Sequence, residues 1–438
     1  MNCKKGLVSA AILLLPVIPL HAYFSGNWYS FFHSYSFGMA CGITSFVFFF
    51  YVLVLSARIK FLDRLIGQDT VLQYHGILAR AAYGTAVLHI LFKFYWTFQW
   101  NMHVISGAAG FVIFFTVIIV TLMFMLSGLC SRLPGIRTLV QVVKRKYPAV
   151  FDYSNLKFFH NLTVPGFLLI AVHIRFASST AEKTSRIYLM SGVAVIALGF
   201  YFRHTIVRRF RMRSRPLTLL SVDSAGPDCV KISLGNPAQQ LPGRKPGQFA
   251  YFRFRSKQCG FEEHPFTIAN APKDEGITLY IKNLGDFSGA LSRVQTGTKV
   301  YADGPYGSFT PPVEGRPQLF IAGGIGITPF ISILNQRDGG MKTPVVLVWS
   351  GRSRADLFLA QYFESFAQRN PEFTFIPVCT REPPFRRIDS GFLTDVIGQN
   401  NSFYVYMCGP AVFMSACREA LLGLGISKEN IFTEKFSV

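Results

Sequence analysis

The hydrophobic pattern of the 438-residue chain changes character near residue 210. Before it, apolar runs fall at about 6–24, 37–56, 73–96, 104–127, 156–177 and 187–207, each near the roughly 20 residues a membrane-spanning helix needs. From about Arg211 the runs shorten to LTLLSV, CVKISL, FAYFRF, ITLYIKN and KVYADGPYG, with Gly and Pro between them. Such spacing predicts a small antiparallel β-barrel. Beyond Pro317 come QLFIAGGIGITPFISIL, VVLVWSGRSRADLFLAQYFESFA, FTFIPVCTR and FYVYMCGPAVFMSACREALL, and this alternation predicts an α/β domain with a parallel sheet of nucleotide-binding type. The expected domains are a six-helix transmembrane bundle over 1–210, a barrel over 211–315 and an α/β domain over 316–438.

Six spans return the chain to its starting side, and charge selects which side. Lys4, Lys5, Arg58, Lys60, Arg64, Arg132, Arg137, Lys144, Arg145, Lys146, Arg203, Arg208, Arg209, Arg211 and Arg213 gather at one set of helix ends. The opposite loops offer little beyond Lys93, Arg175, Lys183 and Arg186, so both termini are expected in the cytoplasm. The net charge of +21 then reads as topology anchors facing anionic headgroups, and VVKRKY and RRFRMRSR are not expected to bind nucleic acid. Pro16 and Pro19 interrupt the first run, which has features of a signal peptide; a retained helix keeps the count even. The eight cysteines, Cys3, Cys41, Cys130, Cys229, Cys259, Cys379, Cys408 and Cys417, have no CxxC or other metal-ligand spacing. Neither a disulfide framework nor a zinc site is expected.

Four histidines stand inside the apolar runs: His75 and His89 in the third, His160 and His173 in the fifth. An imidazole within a membrane is costly without a partner. The 14- and 13-residue intervals separate each pair by roughly 20 Å along its helix, inside a hydrocarbon core of about 30 Å. Two such helices side by side would clamp two stacked haems, each iron held by one histidine from each helix. The helices run in the same direction, so His75 is expected to pair with His160 on the cytoplasmic side and His89 with His173 on the outer side. Thirteen residues leave the second pair about 140° out of phase, and a break at Pro165 and Gly166 is expected to restore it.

These histidine pairs, followed in order by HPFTIAN, GDFSGAL, DGPYG, GGIGITPF and MCGP, resemble the NADPH oxidase and ferric reductase family of transmembrane flavocytochromes, with a ferredoxin-reductase-type flavoprotein half. The resemblance runs over essentially the whole chain, and the short loops look bacterial. It implies a multi-pass protein of the bacterial inner membrane with cytoplasmic FAD and NADPH domains, carrying FAD and two haem b groups. His264, Pro265, Phe266 and Thr267 match the flavin strand, with the Thr267 hydroxyl near flavin N5. Gly285 and Ser288 open a helix facing the pyrophosphate, and Lys282 resembles its basic contact. Gly323, Gly324 and Gly326, with Thr328 and Pro329, form a turn that backbone and pyrophosphate can share closely. Ser350, Arg352 and Arg354 follow a strand where the family reads the adenosine ribose, and arginine there suits the 2′-phosphate of NADPH. Cys408, Gly409 and Pro410 resemble the loop beside the nicotinamide. Phe436 resembles the terminal aromatic residue that stacks on flavin, although Ser437 and Val438 follow it here. Thr267, Cys408 and Phe436 are the catalytic candidates.

The order of sites implies electron transfer from NADPH through FAD and the haems to an acceptor outside. Oxygen, giving superoxide, is the first expectation. A ferric chelate and a periplasmic redox protein are alternatives. Lys93 and Arg175 either attract an anionic acceptor or snorkel to the outer interface.

Overall fold

The structure is a computed structural model and describes residues 2–25, 33–96, 99–129, 138, 142, 145–146, 153–235, 241–313, 315–398 and 402–435. It divides into two compact units, Asn2–Ile59 with Thr70–Thr205, and Lys60–Asp69 with Ile206–Val438. The segment Lys60–Asp69, between the second and third apolar runs, thus folds with the second unit.

The first unit is helical. It contains α1 (Asn2–Leu14), α2 (Val17–Phe24), α3 (Ser34–Ser56), most of α5 (Gln68–Trp96), α6 (Met102–Leu129), α7 (Tyr153–Asn161), α8 (Thr163–Phe176) and α9 (Thr184–Phe202), while α4 (Lys60–Ile66) lies in the second unit. Six stretches are long and apolar enough to cross a membrane: Gly6–Phe24, Ser34–Ser56, Gln68–Tyr95, Met102–Thr121, Asn155–Phe176 and Thr184–Ser214. Each coincides with one of the six apolar runs. Val112, Phe115, Leu168 and Val195 are exposed on these helices.

In the core of this unit Phe46 stacks on Phe167 with ring centres 5.5 Å apart, and Phe49 on Phe114 at 4.1 Å. A Cβ on Gly110 would lie 2.9 Å from Ile170 Cγ1 and 3.0 Å from Gly166 O, so α6 and α8 approach at a distance that only a small residue permits. The helix interruption lies at Leu162, three residues before the expected Pro165. Pro165 cannot donate and its ring crowds the carbonyl four residues earlier. That carbonyl belongs to Asn161, the last residue of α7, and Pro165 sits in the first turn of α8 where its missing N–H costs little.

A π-helical turn, Arg203–Val207, leads from α9 into α10 (Arg208–Ser214). The following strands are β1 (Leu217–Gly226), β2 (Cys229–Gly235), β3 (Phe249–Phe254), β4 (His264–Thr267), β5 (Ile277–Lys282) and, after the short helix α11 (Asp286–Ala290), β6 (Lys299–Tyr306). They form an antiparallel sheet in the order β4-β3-β6-β1-β2-β5, curled around Leu217, Ile232, Phe252, Phe254, Leu279 and Val300.

Five further strands, β7 (Gln318–Gly323), β8 (Val345–Gly351), β9 (Phe373–Cys379), β10 (Tyr404–Gly409) and β11 (Ile431–Lys435), are parallel in the order β11-β10-β7-β8-β9. The crossovers carry α12 (Thr328–Arg337), α13 (Ala360–Arg369), α14 (Ser390–Ile397) and α15 (Ala411–Gly423). Central β7 is buried on both faces, Phe320 toward one core and Leu319 and Ile321 toward the other, as covered parallel strands are.

Candidate functional site

In the helical unit the four histidines meet in two pairs. The ring centres of His75 and His160 are 6.1 Å apart, and those of His89 and His173 are 6.3 Å apart. His75 Nδ1 lies 3.0 Å from Val52 O, His89 Nδ1 2.8 Å from Gly38 O, and His173 Nδ1 2.8 Å from His103 O. A carbonyl only accepts, so Nδ1 carries the proton in these three and Nε2 keeps its lone pair. Two glycines make room for the His89–His173 pair. A Cβ on Gly42 would lie 2.8 Å from His89 Nδ1, and one on Gly107 2.7 Å from His173 Nδ1.

A cavity of about 750 Å³ opens at this pair, with His89, His103, Gly107, His173, Lys93 and Arg186 on its wall. Such a volume holds a cofactor-sized molecule. Lys93 is turned to Tyr35, its Nζ 3.2 Å from the hydroxyl and 4.3 Å from the ring centre, whereas Arg175 lies over Phe176. Buried Arg186 donates to the carbonyls of Ala22, Tyr23 and Ser179 and to Glu182. His103, whose ring centre is 5.8 Å from that of His173, was not singled out from sequence; its only signal was a histidine at the start of the fourth apolar run. Among the described residues no three His, Cys, Asp or Glu side chains gather to hold a metal ion. Among the described residues each pair offers two imidazoles, with the His103 ring beside that of His173.

In the second unit β4 is an edge strand, and its register against β3 sets Thr267 opposite Phe249 and His264 opposite Phe252. Pro265 is exposed there, where a missing donor is tolerated. Thr267 is buried. The His264 ring stacks on Phe287 at 3.7 Å between centres, and the Phe266 ring lies 6.1 Å from that of Phe287. Phe287, unremarked in the sequence, belongs to α11. Ser288 Oγ accepts from the N–H groups of Leu284 and Gly285 at 2.9 and 3.1 Å, and so shapes the start of this helix. The space beside Gly285 is open. Lys282 ends β5 opposite Cys229.

The DGPYG turn lies between two acids that sequence reading missed. Gly307, at φ +97°, donates its N–H to Asp63 Oδ2 at 3.0 Å, and its Cβ position lies 3.2 Å from both Glu434 Oε1 and the Phe249 ring. Lys60 donates to Gly304 O from the same α4. Asp63 is buried; Glu434 is half-buried with Oε2 wholly enclosed. Burial pushes both carboxyls up, and Asp69 with Asp63 adds to the effect at Glu434. Glu434 aligns with Cys408 across β11 and β10. Thr267, Gly307 and Cys408 are thereby linked through Phe249 and Glu434.

Strand order reverses between β7 and β10, and an open α/β sheet binds its ligand at the carboxyl ends beside such a reversal. Those ends are Gly323 and Gly409. The glycines there divide their work. A Cβ on Gly326 would lie 2.2 Å from Cys408 O, so this residue lets the turn pack against β10, while Gly324, at φ +56°, faces open space. Trp349 Nε1 holds the turn by donating to Gly324 O at 2.8 Å. Thr328 and Pro329 are buried in the first turn of α12, and Ser350 is buried at the end of β8. Cys408 is fully enclosed and burial holds its thiol well above the usual range; Gly409 and Pro410 pack on Gly323. Arg352 pairs with Asp356 at 3.1 Å and approaches Asp228 at 3.8 Å, and Arg354 pairs with Glu364. Phe436 lies outside the described residues.

A curled antiparallel sheet followed by a glycine-turn parallel sheet is the arrangement of a flavin- and nicotinamide-dependent oxidoreductase. Residues 214–310 match the FAD-binding domain family, and residues 320–419 match the oxidoreductase NAD-binding domain family. These are FAD- and NAD(P)-binding domains of the ferredoxin-reductase type. The chain is 33% identical over 211 residues to the reductase component of propane 2-monooxygenase from Rhodococcus jostii (strain RHA1), covering 44% of this chain and 55% of that one. It is 26% identical over 230 residues to the ferredoxin–NAD(P)(+) reductase component of the naphthalene 1,2-dioxygenase system from Pseudomonas putida, covering 50% and 68%. The first match therefore spans little more than half of that relative. Among solved structures, a ferredoxin NADP+ reductase from Neisseria gonorrhoeae with bound FAD and NADP aligns with a TM-score of 0.44 and 21% identity, over 50% of this chain and 97% of that one.

Proposed function

We propose that the chain carries electrons from cytoplasmic NADPH, through FAD and two b-type haems, across a bacterial inner membrane to an acceptor on the far side. The observation that carries this reading is the pair of facing imidazole couples. Two metal–nitrogen bonds of about 2.0 Å, plus about 1.1 Å from each nitrogen to its ring centre, given C–N bonds of about 1.33 Å, sum to about 6.2 Å. The measured separations are 6.1 and 6.3 Å. Two imidazoles alone underfill a coordination sphere, and a haem held by each histidine pair would bring the remaining donors itself.

When bound, FAD accepts a hydride from NADPH and passes on single electrons, and haem iron takes one electron at a time. The chain's part is placement. His75 with His160 and His89 with His173 would hold the two groups, with the carbonyls of Val52, Gly38 and His103 fixing ring orientation. Gly42 and Gly107 keep the outer rings from being pushed aside. The Thr267 strand and the open backbone at Gly285 would hold the flavin, and the open backbone at Gly324 would border the nucleotide.

Oxygen, reduced to superoxide, is the first acceptor proposed. Lys93 on the wall of the outer cavity favours a second reading, in which an anionic ferric chelate takes the electron. The deciding experiment is NADPH turnover by purified protein, first in air with superoxide scored, then without oxygen on a ferric chelate with ferrous iron scored. Purified protein with no haem absorbance would end this reading.

A further inference from the structure

Arg213 near the end of α10, Arg253 on β3 and Arg255 just beyond it meet Phe261 and Tyr301 around a cavity of about 310 Å³. The two nearby carboxylates are already engaged: Glu263 and Asp303 both pair with Arg208, at 3.0 and 2.7 Å. None of the three cavity arginines makes an ion pair within 4.0 Å among the described residues. Four guanidiniums against two carboxylates leave two positive charges at one spot. Arg253 rests over the Phe261 ring at 5.7 Å, held by an aromatic face, with Glu263 near it and Arg213 and Arg209 opposing it.

The cavity lies on the other face of the sheet from His264 and Phe266 of the flavin strand, and Arg253 stands four residues along β3 from Phe249, the partner of Thr267. Phe252 and Phe254 fill the barrel core, and His264 opposite Phe252 shares that face. Alternation puts Arg253, and Tyr301 opposite it, on the other face; the bond from Arg255 N to Lys299 O continues the pairing. Topology anchoring does not account for this charge. Arg253 lies on barrel strand β3 and Arg255 just after it, and only Arg213 belongs to a candidate span, Thr184–Ser214.

We propose that Arg213, Arg253 and Arg255 form a phosphate-binding site on the outer face of the barrel, filled by an anionic phospholipid headgroup or by free phosphate. Guanidinium forks match phosphate oxygens in bidentate fashion, and like charges brought together in excess of the nearby acids create a local anion potential. A volume of about 310 Å³ is at the small end for ligand sites and admits a phosphate with a short substituent. The position of Arg213 at the end of a span suits headgroup depth.

The test uses the full-length protein in detergent with two probes: phosphatidylglycerol, with phosphatidylcholine as control, and inorganic phosphate. Binding is followed by native mass spectrometry and by titration calorimetry. Retention of phosphatidylglycerol that falls about tenfold or more in R253Q/R255Q, without matching phosphate binding, supports the lipid source. Saturable phosphate binding lost in the same variant supports the free anion. Equal binding of both probes by wild type and variant overturns the site. FAD content verifies folding, and exposed Arg255→Gln alone serves if the double variant does not fold; an unchanged affinity there also overturns the site.

Discussion

At the scale of single residues, the histidines are held by what surrounds them more than by what they are. Gly107 illustrates this. A methyl there would come within 2.7 Å of His173 Nδ1, so Gly107→Ala must displace the ring and its bond to His103 O. About half of the haem absorbance should be lost with FAD content unchanged, and His173→Leu should give the same ratio. A variant keeping its full haem-to-flavin ratio would show that the outer pair holds no haem. The arginines after β8 pose a different question, because Asp356 already pairs with Arg352. A 2′-phosphate must compete with that carboxylate. Arg352→Gln should raise the KM for NADPH about tenfold and barely alter that for NADH, since a charge-assisted bond is worth about 1.5–3 kcal/mol. Asp356→Asn, which frees the guanidinium, should move the NADPH value the other way. Parallel changes for both nucleotides in steady-state kinetics would remove Arg352 from phosphate reading.

At the scale of elements, α4 is the piece whose packing departs from the linear domain plan. It interrupts the helical unit in sequence yet folds with the barrel and sheets, through Asp63 on Gly307 N and Lys60 on Gly304 O. Burial raises the Asp63 carboxyl, so the folded state binds the proton more tightly than the unfolded chain, whose aspartate titrates near 4. Stability from this group is complete below that value and falls as pH rises through the shifted one. Asp63→Asn still accepts from Gly307 and cannot ionise. Its melting temperature should therefore exceed that of wild type at pH 8 and lose the advantage at pH 4. A constant difference across that range by differential scanning calorimetry would place the buried charge elsewhere. The apolar runs, histidine intervals and strand-to-helix switches were legible in the sequence because each is a local repeat of one period or another. Asp63, Glu434, His103, Phe287 and the barrel arginines were not, since each is an ordinary residue in its own segment and acquires meaning only from a neighbour brought by folding. The turn at Leu162 shows the same limit at close range: Pro165 announced a break, but its steric reach is to the carbonyl four residues back.

At the scale of the whole molecule, the six apolar helices and the nicotinamide–flavin unit make a directional prediction that no soluble reductase would satisfy. An electron leaving a negative-inside compartment gains roughly 2.3 kcal/mol per 100 mV, and bringing one inward costs as much. Protein reconstituted in vesicles with its nucleotide domains on the side that receives NADPH should turn over faster when that side is held negative by a potassium diffusion potential. It should slow when the potential is reversed, with a membrane-impermeant ferric chelate supplied only on the opposite side. Oxidation of NADPH by a permeant acceptor that bypasses the helices serves as the control and should ignore the potential. Turnover on the trapped chelate that is equally indifferent to the potential, or that persists in His75→Leu, would show that electrons do not cross through the histidine pairs.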